Sequence, residues 1–387
     1  VALLHGFEEI SMPILEMTEV FSRPLGQSSD VVSKETYTFN DRGGESLTLR
    51  PEGTAGIMRA VISNGKAHEI PLKYFYSGPM FRYERPQMGR LRQFNQIGIE
   101  FIGNSEPLAD AEVIICGVKF LKSLNLLDKC NLNINTLGDI ESRSAYRNSI
   151  VEYFSKYYSS LSEFSKKRLS LNPLRILDSK EKEDKEIILE APLFSSYLNY
   201  QSKEHFEKVL DYLNMLKITY FHDEKLVRGL DYYCHTTFEF ITKNLGSQGT
   251  VLGGGRYDGL SETLNGPKLA GVGFAAGVER LALLYNEKVN KVSMIGIIPM
   301  EDDNIMDAYV VMNNLRGNNF STEMFFTGNL NKKIKKSVKR GIKHVIFVGS
   351  KEYINDEVLI KNLENGKQWK VSLKNLIPEL KNLEANK

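Results

Sequence analysis

Two predicted β-strands and the loop between them hold the most chemically suggestive residues of this 387-residue chain. Residues 73–81 and 92–102 alternate between apolar and polar side chains, which predicts the two arms of a hairpin. On the second arm Gln96, Gly98 and Glu100 share one face, because side chains two apart on a strand point the same way. Amide and carboxylate groups on one strand face indicate a polar binding surface.

The loop between these arms is rich in guanidinium groups. It carries Arg85, Gln87 and Arg90, and Arg82 and Glu84 come just before it. Guanidinium groups bind phosphates and carboxylates through paired hydrogen bonds, so the loop suits a polyanion better than a core. A solvated hairpin with incidental charges is the alternative.

Two other polar clusters could take part in chemistry. Glu52 and Thr54 lie at a turn before a predicted helix, where Thr54 is a plausible N-cap. A purely structural capping segment is the alternative there. Arg228 precedes the aromatic pair Tyr232 and Tyr233, which follow one another in an apolar stretch. If that stretch is extended, the two tyrosines point to opposite sides, and we do not expect them to share one role.

Glycine is unusually dense further along the chain. The glycines in question are Gly253, Gly254 and Gly255. Glycine weakens a strand, so this run favours the close approach of a ligand. Residues 271–281 partly fit a dinucleotide-binding fingerprint, but no βαβ unit with a ribose-binding acid about twenty residues further on follows. We therefore disfavour a Rossmann site in residues 271–281.

The elements around these residues predict an α+β protein. Residues 1–138 and 223–290 hold the strands and the polar clusters, and we expect them to form one core. Residues 139–222 are rich in Ser, Lys, Glu and Tyr with helical periodicity, which predicts a helical insertion. Residues 292–387 alternate between strands and helices, which predicts a separate α/β domain with a mostly parallel or mixed sheet.

A lysine-rich helix is predicted over residues 330–340. Ile334, Val338 and Ile342 recur every four residues, which predicts the buried stripe of an amphipathic helix. The lysines around the stripe either form a solvated face or contact phosphates. Residues 292–387 carry a net charge of +4, within a total of +2 for the chain, which mildly favours a basic module.

Composition limits the class of protein. The chain is 42% hydrophobic and 25% charged, which is typical of a globular protein. No apolar run approaches the ~18 residues of a membrane helix, and residues 1–9 do not resemble a signal peptide. The chain begins without Met, so we expect residues upstream. Three widely spaced cysteines without a CxxC pair indicate a reducing compartment and no zinc site.

These segments together resemble one family. Residues 78–100 resemble motif 2 of the class II aminoacyl-tRNA synthetases, and residues 271–281 resemble motif 3. Residues 226–233 and 247–258 resemble the two segments specific to the histidyl-tRNA synthetases, in the family's order along nearly the whole chain. The family's N-terminal Arg-Gly-Thr segment is absent, which leaves one edge of the expected site undefined.

The resemblance implies an antiparallel catalytic sheet with a helical insertion and a C-terminal α/β anticodon-binding domain. It implies ATP-dependent ligation of histidine to tRNA(His) through a histidyl-adenylate. The expected cofactors are ATP and the Mg²⁺ that accompanies it, with no metal site of the protein's own. The expected assembly is a homodimer without membrane contact, in the cytoplasm, although an organellar location stays open.

The resemblance also implies roles for individual residues. For catalysis they are Arg228 and Arg82. For ATP they are Arg82, Glu84 and Arg280. For histidine they are Glu52, Thr54, Gln96, Glu100, Arg228, Tyr232 and Tyr233, beside a pocket lined by Gly253, Gly254 and Gly255. For the tRNA acceptor end, which carries an extra 5′ guanosine in this family's substrate, they are Arg85, Gln87 and Arg90.

Two alternatives compete with a ligase. The regulatory subunit of ATP phosphoribosyltransferase resembles the same catalytic core, but it typically lacks the anticodon domain and the arginine found here as Arg228. An RNA-binding module without catalysis would use only the basic loop and the C-terminal segment. Histidine-dependent pyrophosphate exchange separates the three, because only a synthetase catalyses it.

Overall fold

The computed structural model describes residues 1–25, 35–179, 181–227, 232–286, 294–349, 353 and 355–385. The chain divides into two compact units, Val1–Asn286 and Glu287–Lys387. In the described ranges no helix combines the length and the apolar character needed to cross a membrane.

An eight-stranded sheet forms the centre of the first unit. In spatial order its strands are β1 (Glu8–Glu9), β5 (Leu72–Phe81), β6 (Gln93–Ile102), β11 (Gly271–Gly277), β10 (Thr250–Arg256), β9 (Cys234–Ile241), β7 (Asn131–Thr136) and β8 (Phe221–His222). The six inner strands pair antiparallel, and only the short outer strands β1 and β8 pair parallel. The predicted antiparallel catalytic sheet is therefore confirmed.

The hairpin of β5 and β6 has the register that its alternation predicts. Tyr74 lies opposite Glu100 and Gly78 opposite Gln96. Ile99 and Phe101 belong to the main hydrophobic core, and Glu100 between them points to the other face. The alternation thus gives one face of β6 to the core and leaves the other face for polar groups.

Three strands and five α-helices belong to the rest of the described catalytic core of the first unit. The small sheet has the order β2 (Leu15–Met17), β4 (Ser46–Leu49) and β3 (Tyr37–Asn40). The helices are α1 (Glu19–Leu25), α2 (Thr54–Ser63), α3 (Pro107–Ser123), α8 (Leu260–Thr263) and α9 (Val278–Leu284).

The N-cap of α2 is not Thr54, the residue that the sequence predicts. Thr54 is its first helical residue, and the cap position is held by Gly53. The carboxylate of Glu52 accepts the backbone N–H groups of Thr54 and Ala55 at 2.7 Å and 2.9 Å. A glutamate two residues before the helix therefore satisfies donors that a capping threonine would otherwise take.

Four α-helices lie between β7 and β8 among the described residues, where the sequence predicts a helical insertion. They are α4 (Ile140–Lys156), α5 (Glu163–Leu171), α6 (Lys182–Leu189) and α7 (Tyr200–Met215). Residues 178–185 carry a run of charges, and one of them, Asp184, is buried. Its carboxylate accepts hydrogen bonds from the hydroxyls of Ser162, Ser165 and Ser179, at 2.8, 2.6 and 2.5 Å.

The second unit is a five-stranded mixed sheet with helices, as predicted. Its strands lie in the order β13 (Thr322–Met324), β12 (Ile295–Pro299), β14 (His344–Val348), β15 (Glu357–Asn362) and β16 (Gln368–Ser372). The first three are parallel, and β15 and β16 are antiparallel to their neighbours. Its α-helices among the described residues are α10 (Ile305–Gly317), α11 (Leu330–Lys339) and α12 (Leu376–Ala385).

The buried face of α11 agrees only in part with its hydrophobic period: Ile334, and Ile342 just beyond the helix, pack against the core. Val338 is 55% exposed, whereas Lys333 is 3% exposed and Ser337 is fully buried. The Lys333 ammonium donates to the carbonyl of Pro299 at 2.8 Å, and its four-carbon stem lies inside the unit. A long side chain with a carbonyl partner has replaced an apolar residue on the inner face.

Candidate active site

A polar cavity in the first unit brings together most of the residues singled out in the sequence. Its wall includes ten of them: Glu52, Thr54, Arg82, Glu84, Arg90, Gln96, Tyr232, Tyr233, Gly253 and Arg280. They come from the turn before α2, the hairpin β5–β6, the start of β9, strand β10 and the start of α9. The antiparallel sheet supplies the floor on which segments distant in sequence meet.

Glu52 is a buried carboxylate in this wall. Its two oxygens face the first backbone N–H groups of α2, where the helix dipole favours a negative charge. Burial raises the pKa of Glu52, and the two N–H groups and the nearby Arg82 oppose that shift. A cationic ligand group beside Glu52 would replace the solvation that burial removes.

Glu100 is a second buried carboxylate, directly behind the wall. It accepts a hydrogen bond from the Thr54 hydroxyl at 2.7 Å and another from the phenol of Tyr257. Burial raises the pKa of Glu100 to about 8, although both hydrogen bonds favour its charged form. A Cβ on Gly273 would overlap Glu100, so the glycine of β11 leaves the space that the carboxylate occupies.

Aromatic residues enclose the acidic part of the cavity. Tyr232 and Tyr233 both line it, with ring centroids 4.8 Å apart. Their opposite phases predict different surroundings, but the turn at Tyr232 lets both rings reach one cavity. The phenol of Tyr76 donates to the amide oxygen of Gln96 at 3.2 Å, which orients that amide.

Arginines line the other part of the cavity. Arg82 donates from Nε to the carbonyl of Pro51 at 2.8 Å, and its guanidinium lies 5.3 Å from the ring centre of Phe94. Arg90 pairs with Glu84 at 3.0 Å, and Arg82 lies 3.9 Å from the same carboxylate. Glu84 therefore holds two of the arginines together.

Arg280 fastens the tip of the hairpin to the sheet. Its Nε donates to the carbonyl of Gly89 at 3.1 Å and its Nη1 to the carbonyl of Thr250 at 2.8 Å. The backbone groups of Gln87 and Arg90 pair with each other across the tip, where Gly89 has a φ of +75°. Burial lowers the pKa of Arg280, and the neighbouring Arg90 acts in the same direction.

Some predicted site residues lie elsewhere. Arg85 and Gln87 are exposed on the hairpin and are not part of the cavity wall. Gly254 and Gly255 pack against strands β11 and β9, where a Cβ would meet the backbone of Gly273 and Thr236. Arg228 falls outside the described residues.

Sequence reasoning missed several residues of the site. Tyr257 follows the end of β10, where strand alternation no longer determines the direction of a side chain. Position 273 must be a glycine because a Cβ there would overlap the side chain of Glu100 on the neighbouring strand. A single sequence does not show which residues of two strands lie opposite each other. Glu279 accepts the backbone N–H of Asn95 at 2.8 Å and so ties α9 to β6. Its place in the first turn of a helix was the available signal.

The cavity has side chains that could bind cationic nitrogen groups, anionic oxygens and a metal ion carried by a ligand. Glu52 in the wall can bind nitrogen groups of a ligand, and the arginines can bind phosphate or carboxylate oxygens. In the described ranges no set of three or more acidic, His or Cys side chains could hold a metal ion. Glu279, which lines the cavity beside Arg280, is a carboxylate that could add one ligand to a nucleotide-borne Mg²⁺.

The second unit has a cleft of its own. It is lined by Glu323, Met324, Phe325, Phe326, Thr327, Lys336, Lys339 and Arg340, from β13, the loop after it and α11. Phe326 is 54% exposed, although large aromatic side chains are usually buried. An exposed ring among cationic side chains fits a stacked base beside a phosphate backbone.

Two family models match the chain. A model described as histidyl-tRNA synthetase matches residues 1–281, and a model described as an anticodon binding domain matches residues 294–383. The first covers well over half of the chain.

Similar proteins share most of the chain's length. The histidine–tRNA ligase of Rickettsia felis is 46% identical over 382 residues, which are 98% of this chain and 92% of the relative. The histidine–tRNA ligase of Gluconobacter oxydans is 47% identical over 372 residues, 96% of this chain and 90% of the relative. The crystal structure of apo histidyl-tRNA synthetase from S. aureus matches with a TM-score of 0.80 at 34% identity, and the match covers 97% of this chain and 92% of that one.

Proposed function

Because the chain belongs to the histidyl-tRNA synthetase family, we propose that the cavity of its first unit is where histidine and ATP react. A member of this family is a class II histidine–tRNA ligase, which joins histidine to tRNA(His) through a histidyl-adenylate. The full-length relatives favour this ligase over the regulatory subunit of ATP phosphoribosyltransferase. The observation that carries the proposed site is one cavity in which the buried carboxylate of Glu52, with Glu100 bonded to Thr54 behind it, faces three arginines.

The acidic residues would bind histidine. Glu52, with Thr54 and Gln96, would hold its ammonium group, since a buried carboxylate favours a cationic partner. Glu100, with Tyr232 and Tyr233 nearby, would bind the imidazole nitrogens. A site built to hydrogen-bond its substrate rejects analogues without those nitrogens by about 10⁴-fold or more.

The arginines would bind the nucleotide. In the first step an oxygen of the histidine carboxylate attacks the α-phosphorus of ATP, and the bond from that phosphorus to pyrophosphate breaks. Arg82 would neutralise charge on the α-phosphate, and Arg280 would bind the γ-phosphate, with Glu84 holding Arg82 and Arg90 in place. Each preorganised contact of this kind contributes roughly 3 kcal/mol to the transition state.

Two further proposals concern the first step. Arg228 would contact the reacting carboxylate, a role that rests on its place in residues 226–233 alone. Mg²⁺, when bound with ATP, would neutralise charge on the phosphates, and Glu279 is the cavity carboxylate nearest in sequence to Arg280. The chain's own residues would contribute by aligning the reactants rather than by acid–base chemistry.

In the second step a terminal ribose hydroxyl of tRNA attacks the carbonyl carbon of the adenylate, and AMP leaves. Arg85 and Gln87 would contact the acceptor end from the exposed hairpin, where Gln87 can read a base edge. Arg90 would serve the acceptor end from the cavity wall. The cleft around Phe326 would contact the anticodon arm.

The remaining proposals concern assembly and location. The small sheet exposes Leu15, Met17 and Phe39, and an apolar surface of this kind supports a homodimer. Sedimentation of the purified protein at micromolar concentration would test that assembly. We also propose a cytoplasmic location, in keeping with an enzyme of translation.

Histidine-dependent exchange of radiolabelled pyrophosphate into ATP tests the function of the site. We expect exchange with histidine and none with an amino acid that lacks the ring nitrogens, such as leucine. Aminoacylation of tRNA(His) then tests the second step. A protein that bound histidine and ATP without exchange would contradict the proposed reaction.

A further inference from the structure

Arg50 directly follows β4 and is buried. Its Nε donates to the carbonyl of Pro79 at 2.8 Å, and its Nη1 donates to the carbonyls of Met12 and Pro13 at 2.6 Å and 3.3 Å. Within the described part of the chain no carboxylate forms an ion pair with it. Burial lowers the pKa of Arg50 from its usual value.

A buried guanidinium without a counter-ion is unfavourable unless its donors are satisfied. Here the Nε and Nη1 donors are satisfied by backbone carbonyls of two separate segments. Met12 and Pro13 lie in the extended segment between β1 and β2, and Pro79 lies near the end of β5. The rigid fork of a guanidinium can therefore fix the distance between these segments, which a flexible lysine could not do.

The backbone of Arg50 joins the same segments. Its N–H donates to the carbonyl of Ile14 at 2.9 Å, and its carbonyl accepts the N–H of Phe81 at 3.0 Å. The next carbonyl, that of Pro51, accepts the Nε of Arg82 at 2.8 Å. A shift of Arg50 would therefore move the group that orients Arg82.

We propose that Arg50 is a positioning residue for adenylate formation, acting on Arg82 through the Pro51 carbonyl. The inference rests on the proposed contact of Arg82 with the α-phosphate. It assigns to Arg50 no contact with a substrate. Its effect is expected in kcat, because alignment at the reacting phosphate matters most in the transition state.

Gly78 offers an independent way to disturb Arg50. A Cβ at position 78 would lie 2.5 Å from the Nη2 of Arg50, and the next atom it would meet is the Cζ of the same side chain at 3.6 Å. The Gly78→Ala substitution would thus displace the end of one side chain and little else. The fold should survive, while the guanidinium loses its alignment with the carbonyls.

The experiment compares four variants with the wild type. They are Gly78→Ala, Arg50→Met, the double variant and the control Arg59→Met. Arg59 is a suitable control because it is a partly buried arginine of the same region whose ion pair is with Glu16. Each protein is measured by active-site titration, single-turnover adenylate formation, KM for histidine and ATP, and thermal unfolding.

We expect Gly78→Ala and Arg50→Met to lower the single-turnover rate per active site by about 10- to 100-fold, with both KM values within about threefold. The double variant should be no slower than Arg50→Met, because without the guanidinium the added methyl group has nothing to displace. Arg59→Met should lower Tm and leave the rate per active site nearly unchanged.

An unchanged rate in Gly78→Ala would overturn the inference, and so would losses that multiply in the double variant. A lower Tm with a normal rate would make Arg50 a purely structural residue. If Arg50→Met does not fold, Gly78→Ala decides the question alone. A wild-type protein without histidine-dependent exchange would instead overturn the proposed site, and the inference with it.

Discussion

Glu100 shows how strongly the chemistry of one side chain depends on its surroundings. Strand alternation places it on the polar face of β6, and that part of the site could be predicted from the sequence. Its partners could not, because Tyr257 and Gly273 meet it from other strands. The raised pKa follows from burial, and burial is a property of the assembled sheet.

The Glu100→Gln substitution tests the imidazole contact. We expect the KM for histidine to rise by about 10- to 100-fold, since a hydrogen bond to a charged group contributes roughly 1.5–3 kcal/mol. The KM for ATP should stay within about twofold. Glu112→Gln, on α3 and paired with His5 and Lys73, is the matched control. An unchanged histidine KM in the pyrophosphate exchange assay would remove Glu100 from the binding site.

The pKa of Glu100 also predicts how stability depends on pH. In the unfolded chain Glu100 loses its proton near pH 4.5, whereas in the folded, ligand-free protein it keeps the proton up to about pH 8. Between these two pH values Glu100 therefore lowers the free energy of unfolding more and more as the pH rises. The contribution of Glu100 to the free energy of unfolding falls by at most about 1.4 kcal/mol per pH unit. The free energy of unfolding from urea titrations should therefore decline less steeply in Glu100→Gln than in the wild type between pH 5 and pH 8. Parallel profiles would show that Glu100 does not titrate in this range.

At the scale of elements, the hairpin β5–β6 was the most predictable part of the site. Its alternation, its glycine-containing tip and its arginines are local properties of the sequence. The buried face of α11 was predictable only in part: Ile334 and Ile342 pack against the core, but Val338 is exposed and Lys333 is buried, with its ammonium on the Pro299 carbonyl. The cap of α2 was also mispredicted, since Glu52 takes the role expected of Thr54.

The exposed part of this hairpin leads to a prediction about tRNA. The Gln87→Ala substitution should leave pyrophosphate exchange intact and slow aminoacylation of normal tRNA(His), at a cost of roughly 1–3 kcal/mol for one lost base contact. It should barely affect tRNA that lacks the extra 5′ guanosine. The measurement is kcat/KM for both RNAs.

Arg85→Ala is the better comparison for Gln87 than a change at Arg90, which pairs with Glu84 in the cavity wall. Losing a phosphate contact at Arg85 should weaken both RNAs alike and reduce the dependence on salt. Equal losses for Gln87→Ala on the two RNAs would make Gln87 a backbone contact instead of a base reader.

At the scale of the whole molecule, the chain pairs a catalytic unit with a basic α/β unit. The division was predictable, because an antiparallel pattern gives way to βαβ alternation near residue 292. The cleft around Phe326 was not, since nothing in a single sequence distinguishes an exposed phenylalanine from the buried Phe325 beside it.

The Phe326→Ala substitution tests the second unit's part in binding tRNA. We expect kcat/KM for full-length tRNA(His) to fall by a factor that corresponds to roughly 1–3 kcal/mol, the contribution of one stacked base. Aminoacylation of a minihelix made of the acceptor stem alone should be unchanged. Met306→Ala, at another exposed apolar residue of the unit, is the control. A loss of equal size on the minihelix would contradict a contact with the anticodon arm.

The two roles of Glu52 matter for anyone who wishes to evolve this enzyme toward other amino acids. Its carboxylate caps α2 and also faces the cavity, so a library randomised at position 52 would mix altered selectivity with helix losses of about 0.5–2 kcal/mol. Selection would then discard variants with a useful specificity because their helix is less stable. Varying Tyr232 and Tyr233 while keeping Glu52 separates the two effects, and a helix stabilised elsewhere would be the background in which position 52 could be explored.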